Sequence, residues 1–230
     1  MKRLVLFDID GTLLTAQGAP RRAFHRAMLE VYGTAGPIAT HRFDGKTDPQ
    51  IAHELLRAAG LPAAAIASSL SALWSSYIRE LSIELSRPTH RTIVLPGVLA
   101  LLQRLELSGD VVLGLLTGNI RDGATLKLAS ANIRTPFPVG AFGSDCEQRE
   151  ALPRVAVERA REVTGVTFTR RDIVIVGDTP SDVTCGQALG VRAIAVATGS
   201  YGSTELRAAG AEVAFENFSD TLAVLSAILQ

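Results

Sequence analysis

The stretch LVLFDIDGT, residues 4–12, constrains the fold more than any other part of the chain. Its apolar half has the length and composition of a buried strand, and its polar half places Asp8 and Asp10 directly after that strand. Alternation along an extended chain puts both carboxylates on one side, where they repel each other unless a cation neutralises them. Because Mg²⁺ takes carboxylate oxygens and keeps its other positions for water and phosphate, this spacing suits a magnesium site and phosphoryl chemistry. An acidic turn without a metal is the alternative, since Asp-Gly is a common turn pair.

Further short runs rich in Val, Ile and Leu repeat this pattern. Each is followed by a polar or glycine-bearing turn and then by helical periodicity. We predict strands at residues 4–8, 111–116, 173–177 and 191–196, and a weaker strand at 213–215. Such alternation is typical of a parallel sheet that helices cover on both faces. The predicted fold is therefore α/β, a doubly wound, Rossmann-like parallel sheet.

A long segment between the first and second of these strands has a different pattern. Apolar residues recur at helical spacing in three stretches of it, with Gly and Pro at the joints. We interpret residues 15–88 as an inserted α-helical domain. The core is then discontinuous in sequence and consists of residues 1–14 and 89–230.

Polar side chains also follow two other predicted strands. Thr117, Gly118 and Asn119 follow the second strand, and Asp178 and Asp182 follow the third. Open α/β sheets bind their ligands at the carboxyl ends of the strands. The hydroxyl, the backbone amide and the carboxamide offer neutral donors to phosphate oxygens, and Asp178 is the obvious second metal ligand.

Taken in this order, the three motifs resemble those of haloacid dehalogenase superfamily hydrolases. The inserted helices resemble the α-helical cap of the phosphoglycolate phosphatase-like subgroup, which closes over the sheet and recognises the leaving portion of the substrate. The resemblance implies that Asp8 attacks phosphorus to form an aspartyl phosphate, and that Asp10 acts as general acid and base. It also implies that Thr117 and the Gly118 backbone bind the transferring phosphoryl group.

The same resemblance implies a set of magnesium ligands. They are Asp8, the backbone carbonyl of Asp10 and Asp178, with Asp182 as a ligand or as an outer partner. The expected cofactor is therefore Mg²⁺.

The family also has a cation, usually a lysine, ahead of the late acidic strand, and here the chain departs from the pattern. Arg149 stands at that position, and Lys127, on the helix that follows Thr117, is the other candidate. Arginine keeps the positive charge and can bind a phosphate group through two parallel hydrogen bonds. We favour Arg149 for this role.

The inserted segment contains a polar loop, residues 43–49, that resembles the part of the cap facing the active site. Lys46 is the candidate for contacting a second anionic group of the substrate. Capping of the next helix by Thr47 or Asp48 is an equally good interpretation of this loop. Tyr77 lies on an apolar helical stripe, which predicts a place in the cap core and no function.

Two other functions remain open. A phosphosugar mutase of the same superfamily has the same two aspartates, but it usually has valine where this chain has Thr12, so Thr12 favours a phosphatase. A non-catalytic phosphometabolite-binding module would explain the missing lysine, but both aspartates of the first motif are intact.

Composition limits the remaining possibilities. Lys plus Arg equals Asp plus Glu at 23 each, so no overall field attracts nucleic acid or a membrane surface. Cys146 and Cys185 show no metal-ligand spacing, which suits a reducing compartment, and we expect a cytoplasmic protein. The sequence thus predicts a magnesium-dependent phosphatase for a small phosphorylated metabolite, and it does not determine the oligomeric state.

Overall fold

The computed structural model describes residues 2–230 and is built around a parallel sheet of six strands. These strands are β1 Arg3–Phe7, β4 Val111–Thr117, β5 Val139–Phe142, β6 Ile173–Gly177, β7 Arg192–Val196 and β8 Val213–Phe215. Their order across the sheet is β5-β4-β1-β6-β7-β8. Two short strands, β2 Leu14–Thr15 and β3 Ile93–Val94, pair as an antiparallel ribbon.

The α-helices are distributed between the strands. They are α1 Ala19–Tyr32, α2 Asp48–Ala58, α3 Ala63–Leu85, α4 Val98–Leu107, α5 Arg121–Ser130, α6 Leu152–Thr164, α7 Pro180–Leu189, α8 Ser203–Ala208 and α9 Thr221–Leu229. Within residues 2–230, none of them combines the length and the apolarity that crossing a membrane requires.

Side chains of β1 alternate between the two faces of the sheet. Val5 and Phe7 belong to the apolar cluster that includes side chains of α4 and α9. Leu4 and Leu6 belong to a second cluster, which includes side chains of α6. All four residues are fully buried, which is why the strand reads as a continuous apolar run. Helices cover both faces, and the predicted α/β class with a doubly wound parallel sheet is confirmed.

The first three helices pack around an apolar core of their own. Phe24 of α1, Leu55 of α2 and Tyr77 of α3 are buried members of this cluster. The Phe24 and Tyr77 rings meet edge to face with their centroids 5.0 Å apart. We call α1 to α3 and the loops between them the cap. All three helices lie within residues 15–88, and the domain boundaries drawn from the sequence remain predictions.

Three observed strands, β2, β3 and β5, were not predicted. The strands predicted ahead of the three motifs and at 191–196 begin and end within one residue of β1, β4, β6 and β7, and the one predicted at 213–215 coincides with β8. The β5 segment was not predicted, because its four residues include Gly140 and Ala141, which have low strand propensity. This segment becomes a strand by pairing with β4, where Gly140 lies opposite Leu115.

One glycine allows the loop before α4 to contact the loop before α9. Gly97 has φ of 81° and precedes α4. A Cβ atom there would overlap the carbonyl group of Phe218, whose N–H donates to the Pro96 carbonyl at 3.1 Å. The turn therefore requires both a left-handed conformation and the absence of a side chain.

We expect Gly97→Ala to lower the free energy of unfolding by about 3 kcal/mol, because conformational strain adds to a steric overlap. Gly109→Ala is the matched control: its φ is 70°, but nothing lies within 4 Å of its Cβ position. Strain alone should then cost about 1 kcal/mol. Urea unfolding measures both losses, and equal losses would contradict the overlap.

Candidate active site

The carboxyl ends of β4, β1 and β6 meet at one edge of the sheet, because these strands are adjacent and parallel. A cavity of about 260 Å³ lies between this edge and the cap. The predicted site residues that line it are Asp8, Asp10, Lys46, Thr117, Gly118, Asn119, Lys127, Arg149 and Asp178. The structure thus brings together residues that the sequence places up to 170 positions apart, as Asp8 and Asp178 show.

Three of the acidic groups form a buried cluster. Carboxylate oxygens of Asp8, Asp178 and Asp182 lie within 4.8 Å of one another, and the residues are only 4%, 3% and 2% exposed. Burial, followed by the neighbouring carboxylates, raises the pKa of Asp8 to about 6 and raises the pKa of Asp178 well above its usual range. The cluster therefore needs positive charge nearby to stay ionised at neutral pH.

Arg149 supplies part of that charge. It lies on a single 3₁₀ turn, residues 149–151, directly before α6, and it is 6% exposed. Its Nη2 is 3.2 Å from Asp8 Oδ2 and donates to Asp182 Oδ1 at 2.6 Å. The guanidinium lowers the pKa of Asp8 and so opposes the effect of burial. Arg149 thus bridges two of the three buried carboxylates.

Asp182 also caps the start of helix α7. Its Oδ2 accepts a hydrogen bond from the N–H of Thr179 at 3.0 Å, as part of a capping box, and another from the Thr179 hydroxyl at 2.8 Å. Since its Oδ1 is bonded to Arg149, both carboxylate oxygens already have donors from the protein. Direct ligation of a metal by Asp182 remains a prediction.

Asp178 is oriented by the loop of the first motif. The Thr12 hydroxyl donates to Asp178 Oδ1 at 2.9 Å. Gly11, with φ of 81°, leaves room for the carboxylate, because a Cβ atom there would overlap it. Threonine and glycine in the first motif thus position the acid of the third.

Lys127 approaches from α5 and contacts the second aspartate of the first motif. Its Nζ donates to Asp10 Oδ2 at 2.7 Å and to Asn119 Oδ1 at 2.5 Å. Asn119 Nδ2 in turn donates to Asp10 Oδ2 at 2.8 Å and to Thr117 Oγ1 at 2.7 Å. The structure therefore places both candidate cations at the site. Lys127 lies beside Asp10, and Arg149 lies beside Asp8.

The polar loop before α2 joins the cap to the end of β4. The Asp48 N–H donates to the Gly118 carbonyl at 2.8 Å, and the Ile120 N–H donates to Asp48 Oδ2 at 2.8 Å. A Cβ atom at Gly118 would overlap the carbonyl oxygen of Lys46, so this close approach requires glycine. The loop is therefore held against Gly118, which belongs to the motif predicted to bind the phosphoryl group.

Other residues of this loop have separate partners. The Thr47 hydroxyl caps α2 by accepting a hydrogen bond from the Gln50 N–H at 3.2 Å, which confirms the capping interpretation for Thr47. Lys46 lines the cavity, but its ammonium group is ion-paired with Glu54. A role for Lys46 in substrate binding remains a prediction.

The cavity lining also includes residues that were not among the predicted site residues, and two of these are buried side chains of the cap helices that carry polar groups. Asp48 was considered only as a helix cap, and Tyr77 only as part of the cap core, yet both line the cavity. Tyr77 does belong to the cap core and is 1% exposed. Helical periodicity indicates the face on which a residue lies, but it does not indicate what the end of a long side chain reaches.

The sheet, the cap and the three motifs at the strand ends together define a hydrolase of the haloacid dehalogenase type. The model of the family described as haloacid dehalogenase-like hydrolase matches residues 5–196, and the chain belongs to this family. Phosphoglycolate phosphatase of Rhodospirillum rubrum is 27% identical over 222 residues, which cover 95% of this chain and 89% of the relative. These findings confirm the resemblance predicted from the sequence.

Solved structures share the same fold. A hydrolase from Pseudomonas syringae superposes with a TM-score of 0.74 at 20% identity, over 99% of each chain. A protein from Bacteroides vulgatus, provisionally named β-phosphoglucomutase, has a TM-score of 0.71 at 19% identity, over 100% of this chain and 90% of its own. At these identities the likeness shows the fold alone.

We expect Arg149→Met to lower the free energy of unfolding by about 3–5 kcal/mol in metal-free buffer, because it leaves buried carboxylates without their partner. Arg149→Lys keeps a positive charge in the same place, so it should lower the free energy of unfolding by less than half as much. Urea unfolding in the presence of a chelator measures both. If Arg149→Met proved as stable as the wild type, the carboxylates would not depend on this arginine.

Proposed function

We propose that the protein is a magnesium-dependent phosphatase that hydrolyses a small phosphate monoester through an aspartyl phosphate on Asp8. The observation that carries this proposal is the pairing of two aspartates with two separate cations in one cavity. Arg149 lies beside the buried Asp8, and Lys127 lies beside Asp10. Membership of the hydrolase family and the similarity to phosphoglycolate phosphatase of Rhodospirillum rubrum support the proposal.

Asp8 is suited to act as the nucleophile. Its N–H donates to the Val176 carbonyl of β6 at 2.9 Å, and its side chain, 6% exposed, is held by Arg149. Attack of a carboxylate oxygen on phosphorus forms the aspartyl phosphate and breaks the bond to the leaving alcohol oxygen. A nucleophile fixed at a rigid strand end needs little reorientation before it attacks.

Asp10 is suited to move protons. Its side chain is 41% exposed and reaches the cavity, in contrast to the buried Asp8. Lys127 and Asn119 both donate to its Oδ2, which holds the carboxyl group in one orientation. Asp10 would protonate the leaving oxygen and then accept a proton from the water that hydrolyses the aspartyl phosphate.

Thr117 offers the phosphoryl group a directed donor. Its Oγ1 accepts a hydrogen bond from Asn119 Nδ2 at 2.7 Å, so its own proton is left for another acceptor. Thr117 is fully buried at the end of β4 and lines the cavity. A phosphoryl oxygen at this position would be its partner, together with the backbone of Gly118.

The donor set fits Mg²⁺. Asp8, Asp178 and the backbone carbonyl of Asp10 would hold the ion, with Asp182 as a further candidate, and converging carboxylate oxygens are the ligands that hard divalent cations prefer. When bound, the ion would offset both the repulsion among the carboxylates and the charge of the phosphoryl group.

A phosphosugar mutase is the second candidate, because the structure from Bacteroides vulgatus with the same fold carries a mutase name. A mutase would return the phosphoryl group to the product and release little inorganic phosphate. The test of the phosphatase proposal therefore measures phosphate release.

We expect the wild type to release inorganic phosphate from members of a panel of phosphorylated metabolites, only when Mg²⁺ is present. Asp8→Asn should lower kcat by about 10⁴-fold, which corresponds to roughly 5.5 kcal/mol, because the amide cannot form the aspartyl phosphate. Asp122→Asn, on the exposed surface of α5, is the matched control and should keep full activity. Phosphate release by Asp8→Asn at the wild-type rate would contradict the proposal.

We expect saturating Mg²⁺, at about a hundred times its Kd, to raise the free energy of unfolding of the wild type by roughly 2.7 kcal/mol. Asp178→Asn should lose this increase. In chelator the same substitution should not destabilise the protein, because it removes one like charge from the buried cluster. Thermal unfolding with and without Mg²⁺ measures both effects, and an equal increase in wild type and variant would contradict this assignment of Asp178.

A further inference from the structure

Tyr77 reaches the cavity with a hydroxyl group that has no partner. The residue is 1% exposed, and its ring is fixed against Phe24 in the cap core. The hydroxyl makes no hydrogen bond to any residue from 2 to 230, although Tyr77 lines the cavity. Buried tyrosine hydroxyls usually find a partner. The free hydroxyl therefore marks a position where a ligand can bind.

Asp48 offers a second free group in the same cavity. Its Oδ2 accepts from the Ile120 N–H at 2.8 Å, which fixes the orientation of the carboxylate. Its Oδ1 makes no hydrogen bond to any residue from 2 to 230, and Asp48, 8% exposed, lines the cavity. Burial raises the pKa of Asp48 to about 6, so this group is mainly an ionised acceptor at neutral pH.

Asp48 and Tyr77 line the same cavity. The carboxylate of Asp48 is close enough to Tyr77 to raise the pKa of the phenol, after the larger effect of burial, which keeps the hydroxyl protonated. The subsite therefore contains a fixed acceptor and a hydroxyl that can donate. The hydrogen bond from the Asp48 N–H to the Gly118 carbonyl places Asp48 beside the motif predicted to bind the phosphoryl group.

We propose that Asp48 and Tyr77 form a specificity subsite for a hydroxyl group on the leaving portion of the substrate. The inference rests on the proposed phosphatase function and narrows it to phosphorylated polyols and sugars. Polyols and sugars offer several hydroxyl groups, each of which can donate to Asp48 or accept from Tyr77.

Charged leaving groups fit this subsite less well. A carboxylate would be repelled by Asp48. An ammonium group would be attracted by Asp48 but repelled by Lys127, which is close enough to lower the pKa of Asp48. A neutral hydroxyl avoids both repulsions. At this subsite a hydroxyl should therefore be preferred to the carboxylate of a phosphorylated acid such as phosphoglycolate.

The test compares kcat/KM for glycerol 3-phosphate with that for propyl phosphate, which lacks both hydroxyls. Any general effect of a variant on folding or on phosphoryl transfer cancels in this ratio. We expect the wild type to prefer glycerol 3-phosphate by at least about tenfold. Tyr77→Phe and Asp48→Asn should each lower the ratio by about five- to tenfold. Tyr77→Phe removes a hydrogen bond to the substrate, and Asp48→Asn replaces a charged acceptor by a neutral amide.

Tyr32→Phe is the matched control, because the Tyr32 hydroxyl donates to the Ile66 carbonyl at 2.7 Å within the cap, and Tyr32 does not line the cavity. It should leave the ratio unchanged. A wild-type ratio near one, or a ratio unaltered in Tyr77→Phe and Asp48→Asn, would overturn the subsite while leaving the phosphatase function intact.

Phosphoglycolate and phosphoethanolamine complete the set of substrates. Both should be hydrolysed less efficiently than glycerol 3-phosphate, and a preference for either one would overturn the hydroxyl assignment in favour of an acid or an amine. If the protein released phosphate from none of the four compounds and from no member of a wider metabolite panel, both the proposed function and this inference would be contradicted.

Discussion

Repulsion among buried carboxylates is the constraint on which the rest of the site depends. Asp8, Asp178 and Asp182 are brought within 4.8 Å of one another because β1 and β6 are adjacent and parallel. Apolar packing on both faces of the sheet holds them there, despite the free energy that desolvating like charges costs. Arg149 offsets part of this cost, and by our proposal Mg²⁺ offsets the rest. The stability of the site and its proposed reaction thus depend on the same carboxylates and on the cations that neutralise them.

The cap completes the site from a distant part of the chain. Its polar loop is hydrogen-bonded to the backbone around Gly118, at the point where β4 ends. Contact at this position places cap residues on the lining of the cavity, where Phe43, Asp48 and Tyr77 accompany Asp8 and Asp10. The same contact carries Asp48 to Gly118, part of the motif that we propose binds the phosphoryl group. By our proposal, phosphoryl binding and recognition of the leaving group are therefore linked through one loop.

Local sequence signals predicted much of this arrangement, whereas contacts between residues far apart in the sequence could not be predicted from it. Apolar runs ending in polar residues predicted four strands within one residue and placed Asp8, Asp10 and Asp178 at one edge. The sequence could not show which aspartate each cation reaches, so Arg149 and Lys127 stood as alternatives. The pairing of Asp48 with Ile120 joins residues 72 positions apart. Such contacts depend on how the cap packs against the sheet, and the apolar periodicity of the sequence does not determine this packing.

The central claim is that Asp8 carries the phosphoryl group between two half-reactions. The most direct measurement is to stop turnover with hydroxylamine, which converts an acyl phosphate to a hydroxamate, and to locate the modified residue by peptide mass spectrometry. We expect a substrate-dependent hydroxamate at Asp8. A modified residue at another position, or none while phosphate is being released at steady state, would contradict the account.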